Sequence, residues 1–107
     1  MAREKFQTLT EQMFYILMCL RRECCGTDIM NEIQAVTNGQ VSVGPGTLYN
    51  LLESFLTAGM IRETQVEGRK RSYLITQAGE KALQDEYDRL MHLTADYRAA
   101  FGQKDSE

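Results

Sequence analysis

Residues 43–62 read VGPGTLYNLLESFLTAGMIR, and this stretch decides the fold. Two glycines flank the chain's only proline, Pro45, just ahead of a run that is apolar on one side. Proline suits the first position of a helix because its φ is pre-set and the N–H it lacks would have no helical acceptor there. Leu48, Leu51, Leu52 and Phe55 recur at the spacing of a buried helical stripe, and Gly59 stands where a C′ glycine ends a helix. The opposite side carries Thr47, Tyr49, Asn50, Glu53, Ser54 and Thr57. Glycines at 44 and 46 leave the first turn without bulk, so a body outside the domain can come close to the helix start.

Upstream, the sequence predicts two more helices. The first opens near Thr8, which has capping-box spacing with Glu11, or near Thr10, and is expected to run to about Glu23. Met13, Ile16, Leu17 and Leu20 form its core stripe; Phe14, Tyr15 and Met18 are apolar but lie off that stripe. A helix apolar on more than one side needs a second cover, which in so small a domain points to another chain. A short helix follows Gly26-Thr27, with Ile29, Met30 and Ile33 inward and Asn38-Gly39 as its stop. Two short helices joined by the tight link Gln40–Val43, the later one half-exposed, make a helix-turn-helix.

Downstream, residues 60–66 read as a strand, Glu67-Gly68-Arg69-Lys70 as a turn, and residues 71–75 as the returning strand. A hairpin directly behind a helix-turn-helix is a wing, so the fold expected is mainly α with a small β-hairpin: a winged helix-turn-helix plus a long C-terminal helix. Thr76 can cap that last helix, which runs to about Phe101. Leu83, Tyr87, Leu90, Thr94, Tyr97 and Phe101 fall alternately four and three residues apart, a coiled-coil-like seam. At 1.5 Å per residue the helix is about 37 Å long and outruns the domain it leaves, so a partner helix, most simply a symmetry mate, is implied. The expected division is residues 1–76 as the winged unit, 77–102 as a dimerisation helix and 103–107 as a polar tail.

Composition narrows the function. The 107 residues carry a net charge of −3, with no apolar run of the roughly 20 residues a membrane helix needs and a charged start, Met1–Lys5, unlike a secretory leader. A cytoplasmic protein is expected. The acidity is local: residues 77–107 hold seven acids and four bases, whereas residues 1–76 hold eight of each. Within that neutral part Arg69-Lys70-Arg71 is the only run of three bases, which leaves nucleic-acid binding open. Cys19, Cys24 and Cys25 are odd in number and without C-x-x-C spacing, and the only histidine, His92, is distant. Reduced thiols are expected, with no metal, no cofactor and no catalytic triad or acid–base pair.

Pro45-Gly46-Thr47-Leu48-Tyr49, Leu52-Glu53, Ala58-Gly59-Met60-Ile61, Gly68-Arg69-Lys70-Arg71-Ser72-Tyr73 and Leu74-Ile75-Thr76-Gln77-Ala78-Gly79 resemble, in the same order, the PadR family of bacterial transcriptional regulators. The short C-terminal helix is similar to that of the smaller subgroup, which dimerises through its first and last helices. The resemblance implies a homodimeric repressor on double-stranded operator DNA, released by an effector, with phenolic acids or hydrophobic drugs as the effectors of some members. Gly44 replaces a common serine N-cap, Asn50 replaces a proline that often follows the tyrosine, and there is no tryptophan for indole stacking on a drug.

Candidate DNA contacts follow from chemistry. Backbone N–H groups at Gly46, with hydroxyls of Thr47 and Tyr49, suit phosphate, and Asn50 can reach an adenine edge bidentately from the major groove. Arg69, Lys70 and Arg71 on the wing suit flanking phosphate, with Tyr73 divided between DNA contact and hairpin packing. Phe14, Met18, Leu83, Tyr87, Leu90, Thr94, Tyr97 and Phe101 are the candidate dimer interface. Phe14, Tyr15, Met18 and Met91 are candidates to line a pocket for a small apolar or aromatic effector. Two competing readings are a winged-helix module that binds protein, and a repressor that senses redox state through Cys24-Cys25.

Overall fold

Thr10 starts the first helix. Its hydroxyl accepts a hydrogen bond from the Met13 backbone N–H at 3.2 Å, and α1 runs over Glu11–Cys19. The computed structural model describes residues 8–102; the expected polar tail, 103–107, and the charged start, residues 1–5, lie outside them. Ile16, Leu17 and Leu20 are fully buried, while Met13 of the stripe is half-buried, as are Phe14, Tyr15 and Met18 off it.

The expected end of α1 at Glu23 is corrected to Cys19, and the reason is tertiary. The Leu20 carbonyl accepts the Ile75 N–H at 2.8 Å, which pulls the chain out of the helix. Cys24–Cys25 then forms a short strand, β1, paired antiparallel with Tyr73 and Ser72. The expected hairpin is therefore part of a three-stranded sheet.

The next helices end in the way their glycines indicate. α2 spans Gly26–Val36; Asn38 and Gly39 follow at positive φ, and the Gly39 N–H donates to the Gln34 carbonyl at 2.8 Å. α3 spans Pro45–Thr57; Gly59 has φ 76°, and the Met60 N–H donates to the Phe55 carbonyl at 2.9 Å. Both are Schellman closures, which need a left-handed residue after the cap. Leu48, Leu52 and Phe55 of α3 enter the centre of the core beside Ile29 and Ile33 of α2.

The wing consists of β2, Ile61–Glu67, and β3, Lys70–Ile75, in a sheet of order β1-β3-β2. Glu67 pairs with Lys70, so Gly68-Arg69 is the turn, and Gly68 has φ 60°, the hand that fits a twisted two-residue hairpin. A bulge between Glu63 and Gln65 shifts the register.

α4, Gln77–Phe101, is docked at its first turn. The Thr76 hydroxyl accepts from the Gly79 N–H at 3.2 Å and donates to the Gly59 carbonyl at 2.6 Å. The Thr76 N–H donates to the Met60 carbonyl at 3.0 Å. Gly79 lies so close that a Cβ there would collide with the Met60 carbonyl oxygen and sit 2.7 Å from Ile75 Cγ1. Replacing Gly79 by alanine is expected to cost about 2–3 kcal/mol in urea unfolding at fixed protein concentration. Gly46→Ala, where nothing lies within 4 Å, is expected to stabilise by roughly 0.5–1 kcal/mol, because helical glycine carries excess unfolded-state entropy. Similar urea midpoints for the two variants would contradict this account of the corner.

Candidate nucleic-acid interface

Neither glycine at the start of α3 is required by the protein's own packing. A Cβ at Gly44 or Gly46 would meet no atom within 4 Å, and Gly44 has an ordinary extended φ of −79°. No side chain caps this helix end, so its first N–H groups point outward unclaimed. Thr47, Tyr49 and Asn50 are exposed on the same outer side.

Beside them opens a cleft of about 840 Å³ between α3, the start of α2 and the wing. Tyr49, Leu52, Glu53 and Leu56 form one wall, Gly26, Thr27 and Asp28 the end, and Arg69, Lys70 and Arg71 the other wall. The phenol of Tyr49 lies across α3 onto α2. A Cβ at Gly26 would strike the Tyr49 hydroxyl and come within 2.8 Å of Cζ. Gly26, read from sequence only as a helix start, is thus the seat of a candidate DNA-contacting side chain. No local pattern marks it, because Tyr49 is remote in the chain.

Sequence-predicted contacts on the wing divide three ways. Arg69 and Lys70 are exposed, and among the described residues neither has a carboxylate within 4.0 Å. Arg71 faces Glu63, Nη1 to Oε2 at 3.3 Å. Tyr73 is 4% exposed and belongs to the core; burial, then the nearby Glu63, pushes its phenol up. Of its two readings, hairpin packing is the one this burial fits, since its ring closes the cleft floor and offers a phosphate almost no surface.

A second face lies along α4. Leu83 packs on the core, whereas Tyr87, Leu90, Thr94, Tyr97 and Phe101 are exposed, Tyr97 at 65% and Phe101 at 61%. The last two rings lie 4.9 Å apart, one turn from each other. A cavity of about 350 Å³ between α1 and α4 is lined by Phe14 and Tyr15 together with Leu9, Glu86, Arg89 and Leu90. Met18 and Met91 do not line it; Met91 borders a separate groove with Ala95 and Arg98.

The sequence of residues 16–85 matches the model of the family described as "Transcriptional regulator PadR-like family". The chain belongs to the PadR-like family. No curated protein sequence matches it. Three solved structures show the same fold at low identity. A transcriptional regulator from Clostridium thermocellum is 23% identical with a TM-score of 0.72, over 86% of this chain and 90% of the other. A PadR-like transcription factor from Bacteroides fragilis is 20% identical at 0.71, over 82% and 87%. A PadR family regulator from Clostridium difficile R20291 is 19% identical at 0.67, over 87% and 100%. The family is one of DNA-binding transcriptional regulators and not of enzymes.

In this PadR-like chain burial disfavours the thiolate at Cys19 and Cys24. All three cysteines are buried and free; Cys24 Sγ donates to the Cys19 carbonyl at 3.5 Å. Burial, then Glu32, pushes the Cys19 thiol up to about 12 and raises that of Cys24, so the reactive thiolate is scarce at neutral pH. His92 is exposed, and no metal-holding cluster occurs among the described residues. Sequence reading also missed Glu86. Its carboxylate is 2% exposed and takes two hydrogen bonds from Arg89, at 2.8 and 2.6 Å. Three-residue spacing on a helix marks the pair as allowed, but only tertiary packing buries it.

Gly26→Ala is expected to displace the Tyr49 ring and weaken duplex binding by roughly fivefold, about 1 kcal/mol. In a Tyr49→Ala background the same change is expected to do nothing further. Anisotropy titrations of the four proteins close this cycle, and simple additivity would show that Gly26 does not act through Tyr49.

Proposed function

We propose that the protein is a homodimeric transcriptional repressor that grips operator DNA with α3 and the wing and lets go when a small apolar or aromatic effector binds. The observation that carries the dimer is the outer length of α4, where Tyr87, Leu90, Tyr97 and Phe101 stand in solvent at heptad-like spacing. A soluble chain rarely leaves such a strip uncovered, and an identical antiparallel or crossed helix offers the matching strip. Half-buried Phe14 of α1 lies across a cavity from Leu90, and Met18, also half-buried on α1, is the other α1 residue given to the interface.

DNA contact rests on the bare start of α3. Two glycines unneeded by internal packing, with outward N–H groups and the positive end of the helix dipole, suit a phosphate. Thr47 and Tyr49 add hydroxyls, Asn50 a donor–acceptor pair for a base edge, and Arg69 and Lys70 reach flanking backbone. This division gives residues 1–76 the DNA-binding role and residues 77–102 the dimerising one. The effector reading is supported by the cavity where Phe14 and Tyr15 of α1 face Leu90 of α4; Met18 and Met91 do not line it and would have to come from a second subunit. A ligand wedged there changes the angle between α1 and α4 and hence the spacing of the two wings. No described helix is long and apolar enough to cross a membrane, and a protein that acts on operator DNA is expected in the cytoplasm.

A protein-binding winged helix is the second reading, favoured by Asp28 and Glu53 in the cleft. Fluorescence anisotropy on a duplex from upstream of the protein's own coding sequence, against a scrambled duplex over a salt series, separates the two. The repressor is expected to prefer the native duplex, two protomers per site, and the paired change Arg69→Ala and Lys70→Ala is expected to lower the log–log salt slope by about 2. Absence of binding at low salt would favour the protein-binding module. Leu90→Asp is expected to yield monomers at micromolar concentration by sedimentation, since it sets a charge in both copies of the seam. A folded dimer from that variant would place the interface elsewhere.

A further inference from the structure

The three bases of the wing are not equally available to a polyanion. Arg69 and Lys70 project freely, but Arg71 already has an anion beside it, the Glu63 carboxylate on the neighbouring strand. The register explains why. Glu63 stands opposite Tyr73 and so shares its face, and the bulge at Thr64 shifts the register by one so that Val66 meets Arg71. Arg71 and Tyr73, two residues apart, point to the same face of the sheet, so Arg71 and Glu63 lie on one side of it. That face is the wall of the cleft opposite α3.

We propose that Glu63 competes with DNA phosphate for the Arg71 guanidinium and thereby holds down the affinity of the wing for any duplex. The inference rests on the reading of the wing as a phosphate-contacting element. Two geometries of a carboxylate beside an arginine are possible, and this molecule contains both. Arg89 and Glu86 form a clamp, with two hydrogen bonds onto a buried carboxylate, which fixes the guanidinium. Arg71 and Glu63 come no nearer than 3.3 Å, Nη1 to Oε2, with side chains 58% and 32% exposed. Such a contact neither orients the guanidinium firmly nor excludes water, so it is easily exchanged for another anion. It does place a full negative charge where a phosphate would come. A phosphate that takes Arg71 must displace Glu63 and then remain beside it. Asp28 and Glu53 line the same cleft, so the free surface carries little net positive charge to hold DNA of arbitrary sequence. Specific contacts from α3 then supply a larger share of the binding.

The test uses the full chain and a mixed-sequence duplex. Glu63→Gln keeps the size and exposure of the side chain and is expected to raise affinity about three- to tenfold at low salt, with a salt slope steeper by about 1. Arg71→Ala is expected to cost more in the Glu63→Gln background than in the native one, because only there is the guanidinium free for phosphate. Unchanged or weaker binding by Glu63→Gln overturns the proposal, and so does a smaller cost of Arg71→Ala in that background, which would make Glu63 an orienting group. If Arg69→Ala with Lys70→Ala also leaves binding unaltered, the wing is no phosphate contact and the underlying reading fails as well. If that pair weakens binding while Glu63→Gln does nothing, the competition alone is wrong.

Discussion

A single hydroxyl, that of Thr76, joins the three parts of the molecule. It caps α4, bonds the carbonyl of the glycine that ends α3, and sits on the one residue between the wing and the long helix. Gly79 allows the contact by leaving room for the Met60 carbonyl. The direction in which α4 departs is set here, within one helical turn of the elements that would meet DNA. Whatever changes the angle of α4 therefore acts on α3 and the wing through a short, fully bonded corner and not through a flexible linker. This rigidity gives a dimer of such chains a defined separation between its two DNA-facing surfaces.

Charge is handled differently at the two ends of the molecule. Along α4 the acids are solvated or paired locally, as Lys81 with Asp85 at 3.0 Å, and Glu86 is the exception. A buried carboxylate is costly unless bonded, and Arg89, which also lines the cavity against α1, donates to both its oxygens. The hydrogen bonds to Glu86 also raise the Arg89 pKa, so the guanidinium stays charged. In the winged unit the bases and acids are equal in number, yet three of the eight bases are consecutive at the hairpin tip and the start of α3 is left bare. Net charge alone argues against DNA; the arrangement of charge does not.

Much of the architecture was legible because it is written in local chemistry. Pro45 at the helix start, the positive-φ residues Asn38 and Gly59, the two-residue turn at Gly68 and the cap at Thr76 each act within one turn of chain, so a reader of the sequence can weigh them directly. The apolar stripes of α1 and α3 and the exposed seam of α4 follow from a 3.6-residue period in the same way. The bare glycines at 44 and 46 were legible too, but only the structure shows that no neighbour requires them.

What tertiary structure alone decided lies where partners are far apart in sequence. The end of α1 at Cys19 depends on the Leu20 carbonyl meeting Ile75, and β1 exists only because Cys24 and Cys25 lie beside Tyr73 and Ser72. Two residues are too few to show a strand period, and nothing near Leu20 interrupts the helical pattern. Tyr73 is withdrawn into the core, Tyr49 is seated on Gly26, Arg71 is faced by Glu63 beside a bulge, and Glu86 is buried at the cavity between α1 and α4. By itself the sequence determined the elements, their order and the chemistry available on each. Which side chains are free to meet a ligand was settled by chain closure, because burial and pairing belong to neighbours that come together only when the domain folds.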